Sequence, residues 1–470
     1  MRVLMLGWEF PPFITGGLGT ACYGLTKALS RHGTEILFVL PKAVGGELPH
    51  DTPVRLLSQQ SPSAATGDRA PHAVASTYDY RPQIPQRDSR AFEHVTFKAV
   101  PARFSNPYTA PGIEVQKHVT HQSTDSGTDG AGQRPFNRGN EPIRVLGNGP
   151  GPISMPGDYS GDLIAESRRY AALCVDLACG HQFDVIHAHD WLTFPAGMAV
   201  AAAHGKPLIV HVHSTEIDRC GDHVHQAIYD VERRGMHAAM RVIAVSHLTK
   251  SIIVNRYGVD PDMVEVIYNG IDHDHAEVPG APAKITINPG DKVVLFLGRI
   301  TMQKGPEFFI AAAKKVLQKM DNVKFIMAGS GDKVRDVIEM AAREGIGHKV
   351  TFTGFVRGDD LDKVFRMADV FVMPSVSEPF GLAALEAVSH DVPVIMSRTS
   401  GAAEVLHHTL KVDFWDVNEI ANKIIAVLRH PSLGETLRQN AELELRNLTW
   451  DGAAEKCLDV YRKAIASMPT

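Results

Sequence analysis

The chain has 470 residues, 44% of them hydrophobic, enough for two or three domains with cores of their own. A formal net charge of −5 argues against a dedicated nucleic-acid binder and disfavours a basic membrane-surface protein. Five scattered cysteines (Cys22, Cys174, Cys179, Cys220, Cys457) form no Cys-x-x-Cys pair and fit a reducing compartment. The first apolar run, Val3–Leu6, is too short for a signal peptide and meets Glu9 and Pro11-Pro12 at once. No run approaches the ~18 apolar residues of a membrane span. A cytoplasmic protein without integral membrane association is expected.

The chain opens with a strand at Val3–Leu6, a glycine-rich loop, a helix over Leu18–Arg31 and a strand at Ile36–Leu40. The pattern then breaks. Residues 49–157 carry 14 of the 29 prolines amid Ser, Thr, Gly, Gln and His, which predicts an irregular, partly disordered insertion with one strand at Val95–Val100. Alternation returns with a helix from Asp162, then strands at Val185–His187, Leu208–Val210, Val242–Val245 and Val264–Ile267, with helices between them. Gly270–Gly290 is turn-rich and reads as an interdomain linker. A second series follows, with strands at Val293–Leu297, Val323–Met327, Val350–Phe352, Val370–Met373 and Val392–Ile395. Strands alternating with amphipathic helices imply parallel sheets covered on both faces. The fold class expected is α/β, two Rossmann-like doubly wound domains facing a cleft. The expected division is 1–275, 276–450 and a final segment, 451–470.

In such folds ligands bind beyond the carboxyl ends of the strands, and the chemistry-bearing residues follow strands here. Gly16-Gly17-Leu18-Gly19 follows the first strand and can offer backbone N–H groups to an anion. An NAD fingerprint is a poor fit, because Cys22 stands where its third glycine belongs. Gly298-Arg299 and Lys304-Gly305 place two cations at a strand end, a pair suited to a diphosphate. Glu378-Pro379-Phe380-Gly381-Leu382, with Glu386 two helical turns on, puts one carboxylate on each side of a helix N-terminus at Gly381 and Leu382. Hexose hydroxyls, diphosphate and ribose hydroxyls of a nucleotide sugar have that layout. His187-Ala188-His189-Asp190-Trp191 and His211-Val212-His213-Ser214 close neighbouring strands, and His-x-His at a strand end also suits a metal-dependent hydrolase.

Taken in order, Trp8-Glu9-Phe10-Pro11-Pro12 with Gly16-Gly17-Leu18, His189-Asp190-Trp191, Tyr268-Asn269-Gly270-Ile271-Asp272, Gly298-Arg299 with Lys304-Gly305, and Glu378-Pro379-Phe380-Gly381-Leu382 with Glu386 resemble the retaining GT-B glycosyltransferases, in their glycogen/starch synthase-like branch. The likeness covers nearly the whole chain outside 49–157. It implies transfer of a hexose, glucose in the first instance, from ADP- or UDP-glucose to a glucan or other sugar acceptor, without metal or cofactor. It also implies that the last helix crosses back onto the N-terminal domain. By the same resemblance Arg299 and Lys304 hold the donor diphosphate, with the backbone of Gly16, Gly17, Gly381 and Leu382. Glu378 binds hexose hydroxyls, Glu386 the ribose, His189 the transferred sugar, and Phe355 and Val356 lie near the base. Ile14 stands where synthases usually carry lysine, and Thr399–Glu404 looks like the broader retaining group, so the acceptor stays open. A non-catalytic nucleotide-sugar binder is a further alternative. The 49–157 insertion is expected to shape acceptor choice, which shortening Ser61–Gln86 would alter without changing donor affinity.

Overall fold

Val3 and Met5 enter one core layer and Leu4 and Leu6 the other, the two-residue period of a strand buried on both faces. In the computed structural model this strand, β1 (Arg2–Leu6), is central in a sheet with β2 (Glu35–Pro41), β3 (Tyr78–Asp79), β4 (Val95–Val100), β5 (Val185–His189), β6 (Leu208–Val212), β7 (Arg241–Ala244) and β8 (Val264–Val266). The order is β3-β4-β2-β1-β5-β6-β7-β8, parallel except for the β3–β4 pair. The structure describes residues 1–11, 16–41, 78–79, 84, 86–100, 162–272, 285, 287–288 and 290–468. The strand expected at Val95–Val100 is present as β4. The insertion also supplies β3 and a 3-10 helix, Gln86–Phe92, whereas most of its other residues and residues 273–284 of the linker lie outside the described residues.

The second sheet comprises β9 (Lys292–Leu297), β10 (Val323–Ala328), β11 (Val350–Gly354), β12 (Val370–Met373), β13 (Val394–Ser397) and β14 (Leu410–Val412), all parallel, in the order β11-β10-β9-β12-β13-β14. Phe309, Ala312, Ala313 and Val316 repeat at helical spacing and press one face of helix Pro306–Leu317 onto this sheet. Both sheets reverse strand order once, between β1 and β5 and between β9 and β12. A crevice opens beyond the strand ends at each reversal. All four loops leaving those strands reach one cleft between the two domains.

The final helix, Trp450–Ala466, returns to the first domain and packs on helix Gly17–Arg31. Gly24 makes this approach possible: a Cβ there would fall 2.1 Å from the Trp450 ring. Arg31 and Lys463 add ion pairs to Asp451 and Glu265 at the edges of that contact. These are exposed pairs and contribute little. Burial of Trp450, Cys457 and Tyr461 holds the helix in place.

Candidate active site

The cleft encloses about 430 Å³ and is lined from both domains. Its C-terminal wall is built at strand ends. After β9, Gly298 adopts φ 151° and the chain turns so that Arg299 and Lys304 both line the cavity. Lys304 Nζ lies 2.6 Å from Glu378 Oε2, which also accepts a hydrogen bond from Ser375 Oγ at 3.0 Å. Arg299 Nη2 donates to Gln303 Oε1 at 3.1 Å. The cations and Glu378, far apart in sequence, therefore form one cluster.

Gly381 precedes helix Leu382–Ser389 with φ 107°, in the region open to glycine and costly for other residues. That turn leaves the first N–H groups of the helix without intrahelical partners, at residues that line the cavity. Opposite, helix Gly17–Arg31 starts from extended Gly16, and a Cβ on Gly17 would lie 3.7 Å from Leu382 Cδ1. Two helix N-termini, each carrying partial positive charge, thus meet across the cleft. Gly16, Gly17, Gly381 and Leu382 all line it.

Glu386 lines the cleft one helical turn beyond Leu382. Burial, then the nearby Asp362 carboxylate, raises its carboxyl to about 7. Asp362 Oδ1 in turn lies 3.1 Å from His390 Nε2, while His390 Nδ1 donates to the Glu386 carbonyl at 2.7 Å. Phe355 and Val356 line the end beyond β11, and the Arg357 guanidinium sits 4.7 Å above the Phe355 ring.

The N-terminal wall differs from expectation in one respect. His189 is the last residue of β5, fully buried, and does not line the cavity; His213 and Asp190 do. The His189 Nδ1 and His213 Nε2 atoms are 2.9 Å apart, so His189 stands directly behind His213. Asp190, at φ 57°, accepts the His213 backbone N–H on Oδ1 at 2.7 Å, and burial raises its carboxyl to about 7. Strand position held the clue: both His-x-His pairs end neighbouring strands in register, His189 opposite His211, so the wall residue is the one just past the sheet.

His187, His189, His211 and His213 form a stacked block, with ring planes 10–31° apart and centroids 4.2–5.3 Å apart. Burial lowers all four below the ordinary histidine range, His189 to about 3, so the block is neutral. Within it, His187 Nε2, His189 Nε2, His213 Nδ1 and both His211 nitrogens have no hydrogen-bond partner among the described residues. Cys22 with His189 and His213, or His187 with His189 and His211, come close enough to be considered as metal ligands. Imidazole lone pairs lie in the ring plane, however, and near-parallel rings aim them side by side rather than at a common point. As stacked, the histidine rings do not converge on a common metal.

Residues 279–444 match the family Glycosyl transferases group 1, residues 127–275 match Glycosyltransferase Family 4, and residues 2–87 match the Starch synthase catalytic domain. An uncharacterized glycosyltransferase of Methanocaldococcus jannaschii is 35% identical over the full length of both chains. A glycogen synthase of Mycobacterium tuberculosis is 25% identical over 99% of this chain and 95% of its own. Among solved structures, sucrose-phosphate synthase from Thermosynechococcus elongatus superimposes with a TM-score of 0.68 over 99% of both chains at 18% identity, a likeness of fold. Two Rossmann-like domains, a shared cleft, a helix crossing back and a full-length relative agree: this chain belongs to the GT-B glycosyltransferases and is related to their glycogen/starch synthase-like members.

Proposed function

We propose that the protein is a retaining, metal-independent hexosyltransferase that moves glucose from ADP- or UDP-glucose to a glucan or other sugar acceptor. The observation that carries this reading is the cluster of Arg299, Lys304 and Glu378 beside two opposed helix N-termini. Such a cluster suits one group, a diphosphate joined to a polyhydroxylated ring. Arg299, Lys304 and the N–H groups at Gly17, Gly381 and Leu382 take up the charge that grows on the diphosphate as its bond to the anomeric carbon breaks. The acceptor hydroxyl oxygen bonds to that carbon from the same face, and its proton passes to the departing diphosphate. No enzyme carboxylate attacks.

In this reading Glu378 grips hexose hydroxyls, and donor binding displaces Lys304 from it toward phosphate. Glu386 receives the ribose hydroxyls, and Phe355 and Val356 flank the base. His213 presents its imidazole to the sugar, while His189 acts through it as a positioning residue. A metal-dependent hydrolase built on the histidines would need rings turned toward a common centre. A non-catalytic nucleotide-sugar binder would bind donor without turnover. Release of nucleoside diphosphate from ADP- and UDP-glucose, with and without glycogen and with EDTA present, tests all three. Acceptor-dependent release in EDTA supports the transferase; metal-dependent, acceptor-independent release supports the hydrolase.

A further inference from the structure

Beside the cleft, the five-residue helix Glu216–Cys220 rests on an ionic network that the proposed chemistry does not use. Arg219 Nε lies 3.0 Å from Glu216 Oε2 and its Nη2 lies 2.5 Å from Glu232 Oε1, all three side chains being at most 5% exposed. Glu232 Oε2 also accepts the Glu216 backbone N–H at 2.9 Å and the Tyr257 hydroxyl. Removing three charged groups from water costs several kcal/mol per ion, more than a five-residue helix needs for its own sake. The network does immobilise one turn, Ser214–Cys220, and in particular Asp218.

Asp218 is 2% exposed and divides its two oxygens between the domains. Oδ2 accepts the backbone N–H and the hydroxyl of Thr215 at 2.8 and 2.7 Å, fixing the loop that carries His213 and Ser214 on the N-terminal wall. Oδ1 accepts the Ser377 hydroxyl at 2.6 Å, from the C-terminal domain. Ser377 directly precedes Glu378. The Val376 N–H donates to the Gln303 carbonyl at 2.9 Å, and Gln303 is the residue whose side chain receives Arg299. One carboxylate is thereby tied, through a single hydroxyl, to both the hexose-binding and the diphosphate-binding parts of the opposite wall.

We infer that Asp218 and Ser377 form a strut across the cleft that sets the spacing between His213 and Glu378, and that both are positioning residues for transfer. The inference rests on the transferase reading of the cleft. Without the strut, donor still binds through the C-terminal wall, but the tie between the His213 loop and the Glu378 loop is lost, and the Ser246 hydroxyl on the Pro379 carbonyl, 2.6 Å away, is left to hold the domains beside Glu378.

The test uses the full chain with Ser377→Ala, Ser377→Thr and Asp218→Asn, none of which touches substrate in this account. Ser377→Ala should lower kcat about tenfold while donor KM and the binding of ADP and UDP stay within about twofold, since one hydrogen bond outside the donor site is lost. Asp218→Asn, which disturbs both sides of the strut, should be at least as severe in kcat. Ser377→Thr keeps the hydroxyl and should restore kcat. Hydrogen exchange in ligand-free protein should quicken in Ser377→Ala at residues 215–220 and 376–380, on both domains at once. Wild-type kcat and exchange in Ser377→Ala, or Ser377→Thr as impaired as Ser377→Ala, would overturn the strut. If wild type itself turned over neither donor, the transferase reading would fail, while the exchange comparison would still decide the strut.

Discussion

The two walls of the cleft recognise by different means. The C-terminal wall offers charge: Arg299, Lys304 paired with Glu378, and beyond them Glu386, whose carboxyl is raised to about 7. The N-terminal wall offers backbone N–H groups, a buried Asp190 and the neutral imidazole of His213, with the other three histidines of the block behind it. A charged donor suits the first, and a neutral, polyhydroxylated acceptor and sugar suit the second. On the proposed reading, donor affinity comes chiefly from the C-terminal domain, with N–H groups at Gly17 added from the other wall, whereas alignment for transfer depends on the distance between domains. Substitutions on the two sides should therefore fail in different ways.

The largest effect is expected at the cations. Arg299→Ala or Lys304→Ala removes charge that matters most as the diphosphate leaves, so turnover should fall by about 10²–10³, or ~2–4 kcal/mol, with unchanged thermal stability. Steady-state kinetics on both variants provide the check, and wild-type rates would refute the clamp. The carboxylates should then separate. Glu378→Gln should mainly reduce kcat, and Glu386→Gln should mainly weaken donor binding, by ~1–3 kcal/mol through lost charge-assisted hydrogen bonds. Loss of kcat at saturating donor in Glu386→Gln alone would reverse those roles.

A stability prediction addresses the crossing helix. Gly24→Ala pushes a methyl group into the Trp450 ring and should cost ~1–3 kcal/mol by overpacking, read as a lower Tm. An unchanged Tm would mean that Trp450 is free to move aside.

The smallest effect is one of pH. Glu386 holds its proton up to about 7, so the ionised form proposed to bind ribose grows as pH rises through that value. Affinity for ADP and UDP should accordingly improve from pH 6 to pH 8. Stability runs the other way: between the ordinary carboxylate range and pH 7 the folded state binds more protons than the unfolded, so this group's contribution falls as pH rises. Asp362→Asn removes a like charge and should move the affinity midpoint to lower pH, which titration calorimetry across that range would show.

The fold and the charged wall were legible because their signals are local. Buried runs such as Val293–Leu297 end in glycine and then in a charged residue, and that order alone points to a strand with a ligand loop. Gly381, likewise, marks a helix start at φ 107° that another residue would resist. The N-terminal wall was less legible because its signals are long-range. β5 runs on through His189, two residues past the Val185–His187 run, so that imidazole stays in the sheet and His213 meets the cleft instead. Tyr461, whose hydroxyl lies 2.5 Å from His187 Nδ1, arrives from the far end of the chain. The bond between Asp218 and Ser377 spans 159 residues, and the raised carboxyl of Glu386 needs Asp362 from another helix. No periodicity or spacing encodes those contacts.

The central claim, a diphosphate clamp serving sugar transfer, meets its most direct test in one assay: nucleoside diphosphate released from ADP- and UDP-glucose by wild type and Lys304→Ala, with and without glycogen, in EDTA. The account predicts acceptor-dependent release by wild type from one of the two donors, reduced by about 10²–10³ in Lys304→Ala. Release that ignores the acceptor and stops in EDTA, or equal rates from the two proteins, would contradict it.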